Sequence, residues 1–229
     1  MPAISTAESK VAVITASGVI YDGTRPAGDI GSDSTVKLIR QARLDESVKA
    51  VVLRVDSPGG SATAADQIRK ELVRTQAAGK PVVVSMGSYA ASGGYWIAAE
   101  ADKIYAAETT ITGSIGVFAT IPSFEKVADK FGVSSDGVGT TPLSGSINVL
   151  QGIDPIYDKI IQNSITSTYQ RFISLVSTGR KMSLEQADTL AQGRAWVATD
   201  ALQHGLIDAI GDLNDAIESA AILAEISQA

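Results

Sequence analysis

The chain has 229 residues, no cysteine and a single histidine, and acidic residues outnumber basic ones 25 to 19, for a formal charge of −6. These counts exclude a disulfide framework, a thiolate nucleophile, a cysteine- or histidine-rich metal site and a basic face for a phosphate backbone. A 45% hydrophobic fraction with only 5% aromatics describes a packed globular chain whose core is built from Ala, Val, Ile and Leu.

Along the chain, short β-branched runs alternate with amphipathic helices. Residues 11–14 read as a strand, followed by a loop marked by Gly18, Gly23, Pro26 and Gly28. Ser32 or Asp33 is expected to cap a helix through Arg43. Residues 50–55 are a nearly continuous apolar run, which suits a strand buried on both faces. Asp56-Ser57-Pro58-Gly59-Gly60 breaks it. Thr63 is expected to cap the next helix, with Ile68, Leu72 and Val73 on its apolar face and Gly79 at its C-terminal end. Residues 81–85 read as a third strand, 86–89 as a turn, and a small-residue helix is expected from Ala90. A short strand at 103–106 and a helix at 123–130 follow, the latter closed by Gly132. Residues 139–152 carry little regular signal. The longest helix is expected at 155–176, where Ile161, Ile165, Tyr169, Phe172 and Val176 form one stripe. Further helices are expected at 183–191, 199–203 and 212–224. This order argues for an α/β fold with a largely parallel sheet and a helical C-terminal third. No apolar run is long enough to span a membrane, and residues 1–6 lack the basic and apolar regions of a signal peptide.

Two glycine-bearing turns follow buried strands: residues 56–60, and Gly87-Ser88-Tyr89-Ala90-Ala91-Ser92-Gly93-Gly94-Tyr95. In parallel α/β sheets such strand ends converge on a ligand crevice. Adjacent glycines let backbone N–H groups approach a reacting atom, and a serine beside them suits a nucleophile facing an oxyanion hole. Taken singly, each motif is equally a plain turn or a packing choice. A Ser-His-Asp triad would have to use His204, which the pattern places in the last turn of a short helix, a structural position.

The motifs in combination, residues 56–60, then Ser85 to Trp96, then Thr112-Gly113-Ser114-Ile115-Gly116, resemble the signal peptide peptidase A (protease IV) family. The likeness runs from Val11 to about Ala224 and includes Gly193-Arg194-Ala195-Trp196 and Gly205-Leu206-Ile207-Asp208. It implies a crotonase/Clp-like fold with repeated ββα-type units, a flexible segment at 1–10 and a single serine peptidase unit at 11–229. It implies a Ser-Lys dyad with Ser92 as nucleophile, the N–H groups of Gly60 and Gly93 as oxyanion hole, and Ser114 as a partner of the dyad lysine. No cofactor or metal is implied. Residues 138–147, where short single-unit members carry the lysine, contain none. The segment instead looks like the second unit of a double-length member, in which the first unit supplies the lysine. A lysine base active near pH 7 needs its pKa lowered by roughly 3 units, which takes burial. Lys103, Lys126, Lys130, Lys159 and Lys181 all sit in polar or helical surface contexts.

The expected partners are therefore an extended peptide such as a signal peptide remnant, a lysine-bearing N-terminal unit, and further copies in a homo-oligomer, with no nucleic acid. The expected location is the periplasmic face of the inner membrane, with membrane attachment carried by segments outside this chain. Two other readings stay open: a non-catalytic scaffold of the same fold, and an acyl-CoA enzyme of the same superfold. Neither motif is flanked by the acid or the basic cluster that the acyl-CoA reading needs.

Overall fold

The computed structural model describes residues 9–141, 143–145 and 147–226. The segment expected to be flexible, 1–10, lies outside these but for its last two residues. In chain order the strands are β1 (Lys10–Ser17), β2 (Ile20–Tyr21), β3 (Ile30–Gly31), β4 (Val48–Ser57), β5 (Val82–Ala91), β6 (Lys103–Ala106), β7 (Ile111–Gly113), β8 (Ile147–Asn148), β9 (Gly152–Ile153), β10 (Ala195–Val197) and β11 (Ala209–Ile210). The helices are α1 (Ser32–Leu44), α2 (Ala62–Ala77), α3 (Gly93–Ala98), α4 (Glu125–Lys130), α5 (Pro155–Gly179), α6 (Leu184–Leu190), α7 (Ala198–Gln203) and α8 (Leu213–Leu223). They form two compact units: residues up to Gly116 together with those from Phe172 onward, and Val117–Arg171.

The first unit is built on a seven-stranded sheet in which β1, β4, β5, β6 and β11 run parallel in that order. β4 is the strand expected from the apolar run, and Ala50, Val51, Val52 and Leu53 are all fully buried. Strand alternation explains how both faces are used. Ala50 and Val52 pack with Val83 against Ala216 and Ala220 of α8, while Val51 and Leu53, at the alternate positions of β4, are buried on the other side. Small side chains on α8 let helix and sheet approach closely. The sheet is extended at one end by β7, which pairs parallel with β5 and antiparallel with β10. The α/β class and the mainly parallel sheet agree with the sequence reading. The C-terminal third is helical as expected, but it also returns β10 and β11 to the sheet.

Several boundaries differ from expectation, each for a local reason. The N-cap of α1 is Gly31, not Ser32 or Asp33, because the Ser32 hydroxyl accepts the Gly23 N–H (3.1 Å) instead of capping. The N-cap of α2 is Ser61, not Thr63; its hydroxyl accepts the Ala64 N–H, and its own N–H is held by the Ile20 carbonyl. Residues 86–89, expected as a turn, continue β5 to Ala91, so α3 starts at Gly93 and not near Ala90. Gly79 (φ +79) follows α2 as expected, and Ser183 and Asp212 cap α6 and α8 with complete capping boxes.

The second unit holds α4, the β8–β9 hairpin and the start of α5. Among its described residues Ala128 is the only apolar one that is buried, while Phe118, Phe124, Val127, Phe131 and Val138 are exposed. Among the described residues no helix is long and apolar enough to cross a membrane.

Candidate active site

The centre of the first unit's sheet ends in two loops that lie against one another. β4 ends at Ser57, fully buried, whose hydroxyl accepts the Gly59 N–H at 3.1 Å and so turns the chain sharply. Gly59 (φ +112) and Gly60 (φ +149) both occupy backbone conformations that side-chain-bearing residues rarely adopt. Space is equally restrictive. A β-carbon on Gly59 would stand 2.8 Å from Ser92 Cβ and 2.9 Å from the Gly93 nitrogen; one on Gly60 would stand 2.1 Å from the Ile20 carbonyl oxygen. β2 runs beside this loop, with Ile20 N–H donating to the Gly59 carbonyl and Ser61 N–H to the Ile20 carbonyl, each at 2.8 Å. The Ser61 hydroxyl also donates to the Asp22 carboxylate at 2.7 Å. Asp22, which the sequence leaves without a role, thereby ties the end of β2 to the N-cap of α2.

The second loop is the junction of β5 and α3. Ser92 sits between them at φ 52, ψ −119, a conformation that costs a non-glycine residue on the order of 1–3 kcal/mol. The Ser92 N–H donates to the Gly113 carbonyl (2.9 Å) and its carbonyl accepts from the Trp96 N–H (2.9 Å), so the neighbouring strand β7 and the new helix hold the strained residue from both sides. A serine on a sharp strand-to-helix turn, half-buried and followed by glycine, is the arrangement that lifts a nucleophile out of a sheet. Gly93 and Gly94 are buried, and a β-carbon on Gly94 would stand 2.8 Å from the Ser57 carbonyl oxygen, which forces α3 tight against the end of β4.

Gly59, Gly60, Ser92 and Gly93 are thus brought together. The Gly60 nitrogen is 3.2 Å from where a β-carbon on Gly93 would stand. Among the described residues neither the Gly60 nor the Gly93 N–H donates to a protein acceptor, and neither the Ser92 nor the Ser114 hydroxyl makes a hydrogen bond. Two unengaged N–H groups beside a strained serine can stabilise an oxyanion formed at a carbonyl attacked by that serine. Ser114 (φ 46) follows Gly113, the residue whose carbonyl holds Ser92; its N–H donates to the Arg194 carbonyl at 2.8 Å. The motif at 193–196 therefore meets the motif at 112–116 through β10 and β7.

Beneath the site, Tyr95 is fully buried and its hydroxyl donates to the Leu206 carbonyl at 2.7 Å. Burial pushes this phenol far above its ordinary value, so it remains a donor throughout the physiological range. Trp96 packs on Phe172 in a tilted arrangement, with ring centroids 4.6 Å apart and planes at 44°. His204 lies at the C-cap of α7 with its ring edge on Trp196 (4.4 Å), a structural setting. Lys103, Lys126, Lys130, Lys159 and Lys181 are all exposed. Among the described residues no lysine hydrogen-bonds Ser92 or Ser114, and no group of acidic, histidine or cysteine side chains could hold a metal ion. The side chain of Asp56 reaches across to β5; in the sequence its only signal is its place at the head of the first glycine motif.

The chain is similar to known proteins in sequence and in fold. The model of peptidase family S49 matches residues 74–227. Protease 4 of Salmonella typhi is 50% identical over 95% of this chain and 35% of its own length. A Synechocystis protein named as a protease is 33% identical over 97% of this chain and 77% of its own length. A ClpP1 variant of Listeria monocytogenes has the same fold, with a TM-score of 0.59 at 15% identity over 90% of this chain and 94% of its own. The chain spans about a third of the length of the Protease 4 relatives it matches, 35% in Salmonella and 34% in Haemophilus influenzae.

Proposed function

The chain belongs to peptidase family S49, and on that premise we propose that it is the nucleophile-bearing unit of a serine endopeptidase whose general base is a lysine of another unit. Ser92 Oγ gives its proton to that lysine and attacks the carbonyl carbon of an extended peptide. The tetrahedral oxyanion lies between the N–H groups of Gly60 and Gly93. Collapse breaks the C–N bond, and the leaving amine takes the proton back from the lysine. Water, deprotonated by the same lysine, then attacks the acyl-serine; the C–Oγ bond breaks, Ser92 Oγ takes the proton back from the lysine, and the new carboxyl terminus is released. Ser114 holds the lysine amine in line with Ser92. The substrate class is short extended peptides such as signal peptide remnants, and the periplasmic, membrane-bound setting is conferred by segments other than those described.

One observation carries this reading: Ser92 is held in a strained conformation against two N–H groups that no acceptor among the described residues uses. That the lysine comes from elsewhere is supported by the lysine-free stretch 138–147 and by the chain matching about a third of Protease 4. The partner is supported by the second unit, which exposes Phe118, Phe131 and Val138 and buries little of its own apolar surface.

The test is serine-directed labelling with a fluorophosphonate. The isolated chain is expected to label slowly. The chain mixed with a lysine-bearing unit is expected to label at Ser92 and to cleave casein, and Ser92→Ala should abolish both. Rapid cleavage by the isolated chain would overturn the external lysine. Absence of labelling in every assembly would favour the scaffold reading.

A further inference from the structure

β5 changes partner on its way to Ser92. Val83, Val84 and Ser85 pair with β6, whereas Tyr89, Ala90 and Ala91 pair with β7. Against β4 the register slips at the same place: Val55 faces Met86 and Ser57 faces Ala90, so β5 carries two more residues than β4 across this step. A bulge of this kind leaves backbone groups unpaired and re-aims the strand beyond it. Here the unpaired groups have identified partners. The Tyr89 N–H donates to Asp56 Oδ1 at 3.0 Å, and the Gly87 carbonyl accepts from the buried Thr110 hydroxyl at 2.7 Å. A β-carbon on Gly87 would stand 2.7 Å from Asp56 Cγ, so the glycine is required by the space the carboxylate fills.

Asp56 also belongs to the other half of the site. Its carbonyl accepts the Gly18 N–H at 3.0 Å, which starts the run of hydrogen bonds aligning β2 with the Gly59–Gly60 loop. Its backbone lies four residues before Gly60, and its side chain grips β5 three residues before Ser92. The serine and the oxyanion donor come from different strands, and their separation depends on the offset between those strands. Asp56 touches neither reacting atom, and its bonds set that offset.

We propose that Asp56 is a positioning residue: its carboxylate, seated over Gly87 and accepting the Tyr89 N–H, fixes the strand that carries Ser92 against the loop that carries Gly60. The proposal rests on Ser92 and Gly60 acting as nucleophile and oxyanion donor. Its chemistry is that of an acceptor, so an amide oxygen serves as well as a carboxylate. Loss of the acceptor lets the bulge relax, and a misplacement of about 1 Å can lower turnover about 100-fold while leaving substrate binding intact.

The experiment compares Asp56→Asn, Asp56→Ala, Gly87→Ala and Ser92→Ala in the assembled enzyme, this chain together with its lysine-bearing unit. Asp56→Asn is expected to keep kcat within about threefold of the parent, and Asp56→Ala to lower it about 10- to 100-fold with KM within about twofold. Gly87→Ala, which displaces the carboxylate without removing it, should reproduce the Asp56→Ala loss. In Asp56→Ala, hydrogen exchange at the Tyr89 amide should accelerate at least about tenfold while the Val51–Leu53 amides stay protected. Parental kcat in Asp56→Ala or Gly87→Ala overturns the proposal, as does an Asp56→Asn enzyme as impaired as Asp56→Ala. If Asp56→Ala does not fold, Asp56→Asn and Gly87→Ala decide the matter alone. An active Ser92→Ala enzyme would sink the nucleophile assignment instead, and an inactive one beside an unimpaired Asp56→Ala would sink this proposal only.

Discussion

Ser92 carries a cost that its neighbours maintain. Alanine at this position keeps the strained backbone and loses the hydroxyl, whereas glycine loses both the hydroxyl and the strain. Ser92→Gly is therefore expected to be more stable than Ser92→Ala by about 1 kcal/mol, read from urea unfolding midpoints. Equal stabilities would mean that the φ of 52 is not strained in solution. The same reasoning explains which site residues were legible. Ser92, Gly60 and Gly93 stand in motifs whose glycines already signal close backbone approach. Asp56 and Asp22 were not legible, because their partners, Tyr89 and Ser61, are 33 and 39 residues away in sequence.

Elements whose signals are local were the readable ones. Gly79, Ser183 and Asp212 end or begin helices through bonds within one turn, and the sequence places them correctly. β7 and β10 carry no such signal because three-residue strands have no periodicity; β7 is held by β5 and β10, and β10 pairs with it from more than about 80 residues further along the chain. The misread turn at 86–89 has the same origin: Gly87-Ser88 looks like a turn until Asp56 and Thr110 hold it in the sheet. Packing of α1 on α2 rests on another long-range feature. Glu71 of α2 is fully buried and is met by Arg43 at 2.9 Å, Arg74 at 3.0 Å and Arg40 at 3.6 Å. Burial by itself would raise this carboxyl, but the hydrogen bonds from Arg74, Arg43 and Arg40 outweigh it and hold the carboxyl below its ordinary value of 4.5. A carboxyl lowered in the folded state contributes stability that is complete above its unfolded pKa and is lost as pH falls through the lower folded one. Glu71→Gln should cost about 1–2 kcal/mol at neutral pH, moderated because Arg40 and Arg74 are more than half exposed. The penalty should shrink as urea unfolding is repeated at increasingly acid pH; a penalty independent of pH would contradict the ion-pair account.

At the scale of the whole molecule, the two units differ in self-sufficiency. The first buries Ala50, Val51, Val52 and Leu53 of its central strand completely, so both sides of that strand are covered. The second has Ala128 as its only buried apolar residue among those described, and it exposes aromatic side chains. Such a surface is expected to drive association. Phe118→Asp combined with Phe131→Asp should shift the chain toward monomer in sedimentation velocity and weaken pairing with the lysine-bearing unit, while the near-UV signal of Trp96 and Trp196 is retained. Unchanged sedimentation would remove this unit from the assembly interface. Periodicity, capping and glycine chemistry act within a few residues, so the class of fold, the buried central strand, the starts of α6 and α8 and the two glycine motifs are legible in the sequence alone. How those motifs meet is set by the folded chain. The strain at Ser92, the placing of Gly60 beside Gly93 and the grip of Asp56 on β5 all depend on contacts between strands far apart in sequence, and sequence spacing does not encode such distances.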